Sequence, residues 1–229
     1  MFSVIFPGQG SQIVGMTSEF YSKYDFIKKL YKEADEILNF PISKLILEGP
    51  KDQLDLTENT QPAIFLAGYS IFRLINEHHE IDLKKSKFYA GHSLGEYTAL
   101  ACAGALSFSD TLKILKIRGK AMQEAVPKGQ GGMLAILGSD IDSIDKILKD
   151  CEKNFECFIA NDNSDNQLVV SGSSENIQKF SDLLNVKKIK NIKLSVSAPF
   201  HCKLMNNATR VMEKEIKKLE FKNFENTLI

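Results

Sequence analysis

Phe88-Tyr89-Ala90-Gly91-His92-Ser93-Leu94-Gly95-Glu96-Tyr97 decides how the rest of the chain is read. Phe88 to Ala90 is a short apolar run with the length of a buried strand, and Glu96 to Ala103 continues as a helix. Between them lies Gly-x-Ser-x-Gly, the spacing of a strand–turn–helix that exposes a serine hydroxyl at its apex. In so tight a turn, side chains two residues either side of the serine would collide; glycine at 91 and 95 avoids this. The following helix aims its free N–H groups at the serine, where they stabilise negative charge. On these five residues alone, a Gly/Ser turn with no chemical role reads equally well.

Upstream, Phe2 to Phe6 is a second apolar strand, stopped by Pro7-Gly8. Phe26, Leu30, Ala34, Ile37 and Leu38 recur at helical spacing. Thr60-Gln61-Pro62 starts another helix, with Pro62 in its first turn. Ser109-Asp110 caps the next, which carries Leu112, Leu115, Arg118 and Met122. Pro127-Lys128-Gly129-Gln130-Gly131-Gly132 changes the texture and reads as a linker. Beyond it come strand Met133–Leu137, helix Ile141–Cys151, strands Cys157–Ala160 and Leu168–Ser171, helix Ser174–Leu184 and strand Ile189–Val196. That βαββαβ order predicts a ferredoxin-like subdomain. The expected division is an α/β-hydrolase-like core with a parallel sheet, residues 1–128 and 195–229, holding an inserted subdomain at 129–194. After Ser197-Ala198-Pro199-Phe200-His201, a long helix is predicted from Leu204, Ala208, Val211, Met212, Ile216 and Leu219, then a strand at Thr227-Leu228-Ile229.

Composition excludes several classes. With 43% hydrophobic residues among 229, wholesale disorder is excluded. Lys+Arg and Asp+Glu are 29 each, so no global field favours nucleic acid. The N-terminus has no basic leader, and the apolar stretch from Tyr97 to Phe108 is too short to span a bilayer. Cys102, Cys151, Cys157 and Cys202 form no CxxC pair, so reduced thiols in a cytoplasmic protein and no metal site are expected. His78 and His79 are adjacent in a polar loop, a poor metal site without further ligands. Gly8-Gln9-Gly10 fits neither phosphate-loop spacing.

Gly91-His92-Ser93-Leu94-Gly95-Glu96-Tyr97 resembles the active-site motif of the malonyl-CoA:acyl carrier protein transacylases of bacterial fatty acid synthesis. Pro7-Gly8-Gln9-Gly10-Ser11-Gln12 is similar to that family's N-terminal motif, and Thr60-Gln61-Pro62-Ala63 to its next block. Arg118-Gly119 with Met122, Asn161 to Asn163, and Ser197 to His201 complete an ordered set along nearly the whole chain. The family continues beyond a strand like Thr227-Leu228-Ile229, so the chain resembles a member shortened at its C-terminus. In the family, a carbonyl from that further region holds the catalytic histidine.

The resemblance implies Ser93 as nucleophile and His201 as its base; without it, a packed histidine at a helix start is the simpler reading of His201. His92 is read as a structural neighbour, because residues adjacent around a sharp turn point apart. The oxyanion is expected on the N–H groups of Leu94 and, by resemblance, Gln9. Arg118 is expected to select malonyl, since a guanidinium fork pairs with a carboxylate that acetyl lacks. Gln61, Met122, Asn161 and Phe200 complete the implied substrate-binding set, Phe200 narrowing the pocket or simply packing. Expected partners are malonyl-CoA as substrate and acyl carrier protein, with no cofactor, no nucleic acid, no membrane and a monomeric chain. An acidic carrier would dock on Lys113, Lys116 and Lys120, or on Lys187, Lys188, Lys190 and Lys193. A serine thioesterase or hydrolase, and a shortened inactive chain that only binds CoA or carrier protein, are the alternatives.

Overall fold

The structure, a computed structural model, describes residues 2–78, 81–127, 129–194, 196, 198–224 and 226–229. Two compact units divide the chain: Met1–Lys120 with Met212–Ile229, and Ala121–Val211.

In the first unit, strand β1 (Ser3–Phe6) is followed by helices α1 (Ser18–Lys23), α2 (Asp25–Leu38), α3 (Ile42–Glu48), α4 (Lys51–Leu54) and α5 (Thr57–His78). Then come β2 (Phe88–Gly91), α6 (Leu94–Cys102) and α7 (Phe108–Glu124), whose last turn enters the second unit. The second unit continues with β3 (Gly131–Leu137), α8 (Ile141–Cys151), β4 (Cys157–Ser164), β5 (Gln167–Ser173), α9 (Ser174–Val186) and β6 (Lys190–Lys193). Helix α10 (Asn206–Ile216) leads back to β7 (Thr227–Leu228).

β1, β2 and β7 form a parallel sheet with β2 in the centre. Strand alternation sorts its faces. Phe6 and Tyr89 are buried with Phe72 of α5 and with Ala99 and Cys102 of α6. The opposite face leaves Ile5 and the terminal Ile229 about three-quarters exposed, at 74% and 73%. The largest apolar cluster joins Ile27, Tyr31 and Ala34 of α2 to Ile42 and Ile46 of α3, and to Phe65 and Leu66 of α5. The 3.6-residue spacing of α2 therefore reads as burial against neighbouring helices.

The second unit's sheet is antiparallel in the order β4-β5-β3-β6. Leu134, Ile136, Leu168 and Val170 pack with Ile144 of α8 and with Ile177 and Phe180 of α9. The alternate residues Met133 and Val169 turn the other way, to Met122, Ala198, Phe200, Met205 and Ala208. This is the expected ferredoxin-like unit, and the expected α/β fold holds.

Element ends differ from expectation for identifiable reasons. α5 begins at Thr57, so Pro62 stands inside the helix rather than in its first turn. The missed turn is a run of buried polar residues, Thr57, Asn59, Thr60 and Gln61, with no apolar periodicity to mark it. α7 is capped by Ser107, two residues earlier than expected: its Oγ accepts the Asp110 N–H at 2.9 Å and donates to the Asp110 carboxylate. β6 stops at Lys193, and the last long helix ends at Ile216 with Val211 exposed. His78 closes α5, its ring stacked on Phe26 at 5.2 Å, rather than lying in a polar loop. The readings of His79, Lys128, Ser195 and Ser197 fall outside the described residues.

Candidate active site

Ser93 stands where β2 gives way to α6, with φ 56° and ψ −110°. Few non-glycine residues adopt a positive φ, and here it projects the hydroxyl from the bend. A β-carbon on Gly91 would lie 2.0 Å from the Gly95 carbonyl carbon, so the turn itself requires glycine at 91. Gly95 answers a different neighbour: its β-carbon would meet the Phe6 carbonyl oxygen at 2.5 Å and that of Pro7 at 2.8 Å. The second glycine thus lets α6 start against the end of β1. Leu94 opens α6, so its N–H has no carbonyl one turn back within the helix and is available beside Ser93.

The loop after β1 packs on the same turn. The His92 N–H donates to the Phe6 carbonyl at 3.1 Å, and a β-carbon on Gly8 would lie 2.4 Å from the His92 Nδ1. His92 is thus packed against the loop carrying Gln9. Side chains tie that loop to the approach to α5. Gln9 Nε2 donates to Thr57 Oγ1 at 3.2 Å, and Gln12 Nε2 donates to Asp55 Oδ1 at 2.9 Å while its Oε1 accepts the Gly10 N–H at 2.8 Å. Gln12 and Lys51 hold the Asp55 carboxyl below the usual carboxylate range.

Arg118 comes from α7. Its Nη1 donates to Gln61 Oε1 at 2.7 Å and its Nη2 to Ser93 Oγ at 3.1 Å. Its Cζ lies 5.6 Å from the centre of the Tyr97 ring. Burial lowers the guanidinium pKa, opposed by the nearby Tyr97 and Glu96; burial likewise raises the Tyr97 phenol, against the pull of Arg118. Gly119 allows this placement, because a β-carbon there would fall 2.5 Å from both the Glu58 Cα and the Thr57 carbonyl oxygen. Lys116, one turn of α7 away from Gly119, donates to Asn59 Oδ1 at 2.8 Å, pairs with Glu58 at 3.6 Å and lies over the Phe40 ring. These contacts leave Lys116 partly exposed, and the other lysines of the expected carrier-docking sets, Lys113, Lys120, Lys187, Lys188, Lys190 and Lys193, are exposed.

Ser93, Arg118, Gln61, Gln9 and Leu94 all belong to the first unit; His201, Phe200, Met122 and Asn161 belong to the second. His201 has φ 58° and is exposed. The preceding Phe200 is buried with Met122, Met133 and Met205, and its carbonyl accepts the Ser171 Oγ–H at 2.6 Å. Pro199 packs so closely on Gly131 that a β-carbon there would lie 2.1 Å from the proline Cδ. Asn161 pairs with Val169 just past a bulge in β4. Among the described residues, no group of three His, Cys, Asp or Glu could hold a metal ion, and no helix is long and apolar enough to cross a membrane.

Sequence reasoning did not single out Tyr97 or Thr57. Tyr97 ends the Gly91-to-Tyr97 stretch that carries the resemblance, and that place was its available signal. Thr57 gave none, since its partner Gln9 is 48 residues away.

A model of the acyl transferase domain family matches residues 3–227. The malonyl CoA-acyl carrier protein transacylase of Haemophilus influenzae is 37% identical over 220 residues, covering 96% of this chain and 70% of that protein. That of Bacillus subtilis (strain 168) is 39% identical over 221 residues, 96% of this chain and 68% of its own length. Among solved structures, the malonyl CoA-acyl carrier protein transacylase of Coxiella burnetii superposes with a TM-score of 0.94 at 36% identity, covering 100% of this chain and 72% of that one. A malonyl-transacylase in complex with a type II PKS acyl-carrier protein gives a TM-score of 0.94 at 34% identity, covering 100% of this chain and 73% of that one.

Proposed function

The chain belongs to the acyl transferase domain family, and from that membership we propose that it transfers malonyl from malonyl-CoA to the phosphopantetheine thiol of acyl carrier protein, for fatty acid synthesis. The observation that carries this reading is the Arg118 guanidinium within hydrogen-bond reach of the Ser93 hydroxyl. A fixed cation beside the nucleophile suits an acyl group that ends in a carboxylate.

In the first half-reaction, Ser93 Oγ attacks the thioester carbon of malonyl-CoA while His201 takes the hydroxyl proton. The carbonyl electrons move to oxygen, and the N–H groups of Leu94 and Gln9 hold the resulting oxyanion. Losing one such donor costs about 3 kcal/mol of transition-state stabilisation. The intermediate collapses, the carbon–sulfur bond breaks, and His201 returns the proton to the CoA thiolate. In the second half, the carrier thiol gives its proton to His201 and attacks the malonyl-serine ester; Ser93 leaves and recovers that proton. Nothing is oxidised or reduced, and the chemistry calls for no cofactor.

Arg118, fixed by Gln61, pairs with the malonyl carboxylate, and Met122, Asn161 and Phe200 line the acyl and thioester region. Residues 129–194 serve as the inserted subdomain of the core. The chain acts as a monomer in the cytoplasm, where both substrates occur. Mass spectrometry after mixing with malonyl-CoA tests the reading. A malonyl adduct is expected on Ser93 and not in Ser93→Ala; a folded chain that releases malonate with no carrier present and never accumulates the adduct would instead be a hydrolase.

A further inference from the structure

We propose that Tyr97 is a positioning residue for acyl selection: its ring braces the face of the Arg118 guanidinium, so that the planar fork presents its edge to the carboxylate of the acyl group. The inference rests on the reading of Ser93 as the acylated residue and of Arg118 as the carboxylate's partner.

A guanidinium is a flat group with five N–H donors in one plane, and its bidentate pairing depends on the direction of that plane. Two in-plane contacts are fixed here: Nη1 to Gln61 Oε1 at 2.7 Å and Nη2 to Ser93 Oγ at 3.1 Å. In-plane bonds leave the group free to rock about the line that joins them, and a contact against its face removes that freedom. The centre of the Tyr97 ring lies 5.6 Å from Cζ, inside the range at which a cation and an aromatic face attract.

The placement follows from local structure. Ser93 stands just before α6 and Tyr97 lies one turn into it, and Arg118 reaches both: its Nη2 donates to Ser93 Oγ, and its Cζ lies 5.6 Å from the centre of the Tyr97 ring. Tyr97 is itself half-buried and packs against the apolar cluster that holds Phe65 of α5 and Leu112 of α7. The brace is therefore anchored in the same packing that joins the three helices carrying Ser93, Gln61 and Arg118.

Loss of the brace has a distinct signature. The backbone that sets Ser93 and its oxyanion donors is unchanged, so acylation by bound substrate should stay near its usual rate. What changes is recognition of the carboxylate, and with it the margin between malonyl and acetyl.

The test compares Tyr97→Met, which keeps apolar bulk without a π face, with Tyr97→Phe, which keeps the ring. Single-turnover acylation of Ser93 by malonyl-CoA and acetyl-CoA gives KM and kcat for each. For Tyr97→Met, a rise of about 5- to 20-fold in the malonyl KM is expected, with kcat within about twofold of the wild type and the malonyl-to-acetyl ratio reduced to match. Tyr97→Phe should restore most of that ratio. A Tyr97→Met protein with wild-type melting behaviour and an unchanged ratio overturns the proposal, as does an equal loss for both acyl groups.

A measurement on the unaltered chain guards against a variant that fails to fold. The Arg118 side-chain resonances, assigned with Arg118→Lys, should be displaced by the Tyr97 ring current and show a slowly rotating guanidinium. Undisplaced, freely averaging signals overturn the brace. A wild-type chain that takes no malonyl on Ser93 removes the underlying functional reading instead, and so is told apart from failure of the brace.

Discussion

Gly119 of α7 lies against Glu58 of α5 with no room for a side chain, a β-carbon there falling 2.5 Å from the Glu58 Cα. The two helices meet backbone to backbone at this point. Lys116 and Arg118, both just before Gly119, then reach Asn59 and Gln61, both just after Glu58. Gly119→Ala should lower stability by about 1–3 kcal/mol, because backbone on both sides must part to admit a methyl group. Malonyl transfer should fall with it, since Arg118 is displaced. Urea denaturation and a transfer assay on the same preparation check both.

Arg118→Ala should lower kcat/KM for malonyl-CoA by roughly 10²-fold, the scale of losing charge-assisted hydrogen bonds of about 3 kcal/mol in total. Acetyl-CoA should become a comparable substrate. Acylation of Ser93 by each thioester, followed separately, measures the ratio; an acetyl group still excluded removes Arg118 as selector.

The thiols should be chemically quiet. Burial pushes the Cys157 thiol up to about 12 and the Cys102 thiol well above its ordinary value, and Cys151 and Cys202 are also raised. A raised pKa keeps the thiol protonated at neutral pH, and the thiol is the unreactive form. Iodoacetamide at pH 7.5 should therefore leave both transfer activity and native mass largely unchanged, while the unfolded chain takes up four labels, one for each free cysteine.

Asp55 predicts a pH dependence for the loop that carries Gln9. Its folded-state pKa is lowered, first by Gln12 and then by Lys51. A lowered carboxylate adds stability above its unfolded value near pH 4, and that contribution disappears as pH falls through the lowered folded value. The stability gap between wild type and Gln12→Leu should be widest near pH 6 and narrow below pH 4, read from urea midpoints across that range. A gap that widens in acid contradicts the assignment.

Carrier docking should depend on salt. If Lys113 and Lys120 meet an acidic carrier, charge reversal there should raise the KM for carrier protein and flatten its salt dependence, leaving malonyl-CoA acylation of Ser93 unchanged. If those values stay fixed while reversal at Lys187 and Lys188 moves them, the second lysine group is the docking surface.

Much of this architecture was legible because it is local. Strand, turn and helix around Ser93 follow from an apolar run, two glycines and a helical period, and the alternation after residue 129 gave the antiparallel subdomain. What escaped was held by partners far along the chain. The start of α5 is buried through polar side chains that bond to carbonyls of Gln53, Leu54 and Leu56. No periodicity records such bonds. Gly95 was correctly read as required, but its cause is the end of β1, some 90 residues earlier. Arg118 and Gln61 could be chosen by resemblance, whereas the contact between them, and that of Arg118 with Tyr97, follow from the crossing of α5, α6 and α7.

Ser93 is a poor residue for the backbone it occupies, since glycine reaches a φ of 56° and a ψ of −110° without steric penalty. An inactive Ser93→Gly chain should therefore be as heat-resistant as the parent or more so, and activity and melting temperature should move in opposite directions at this one position. At this one position the backbone and the proposed chemistry ask for different residues, glycine for the turn and serine for the nucleophile.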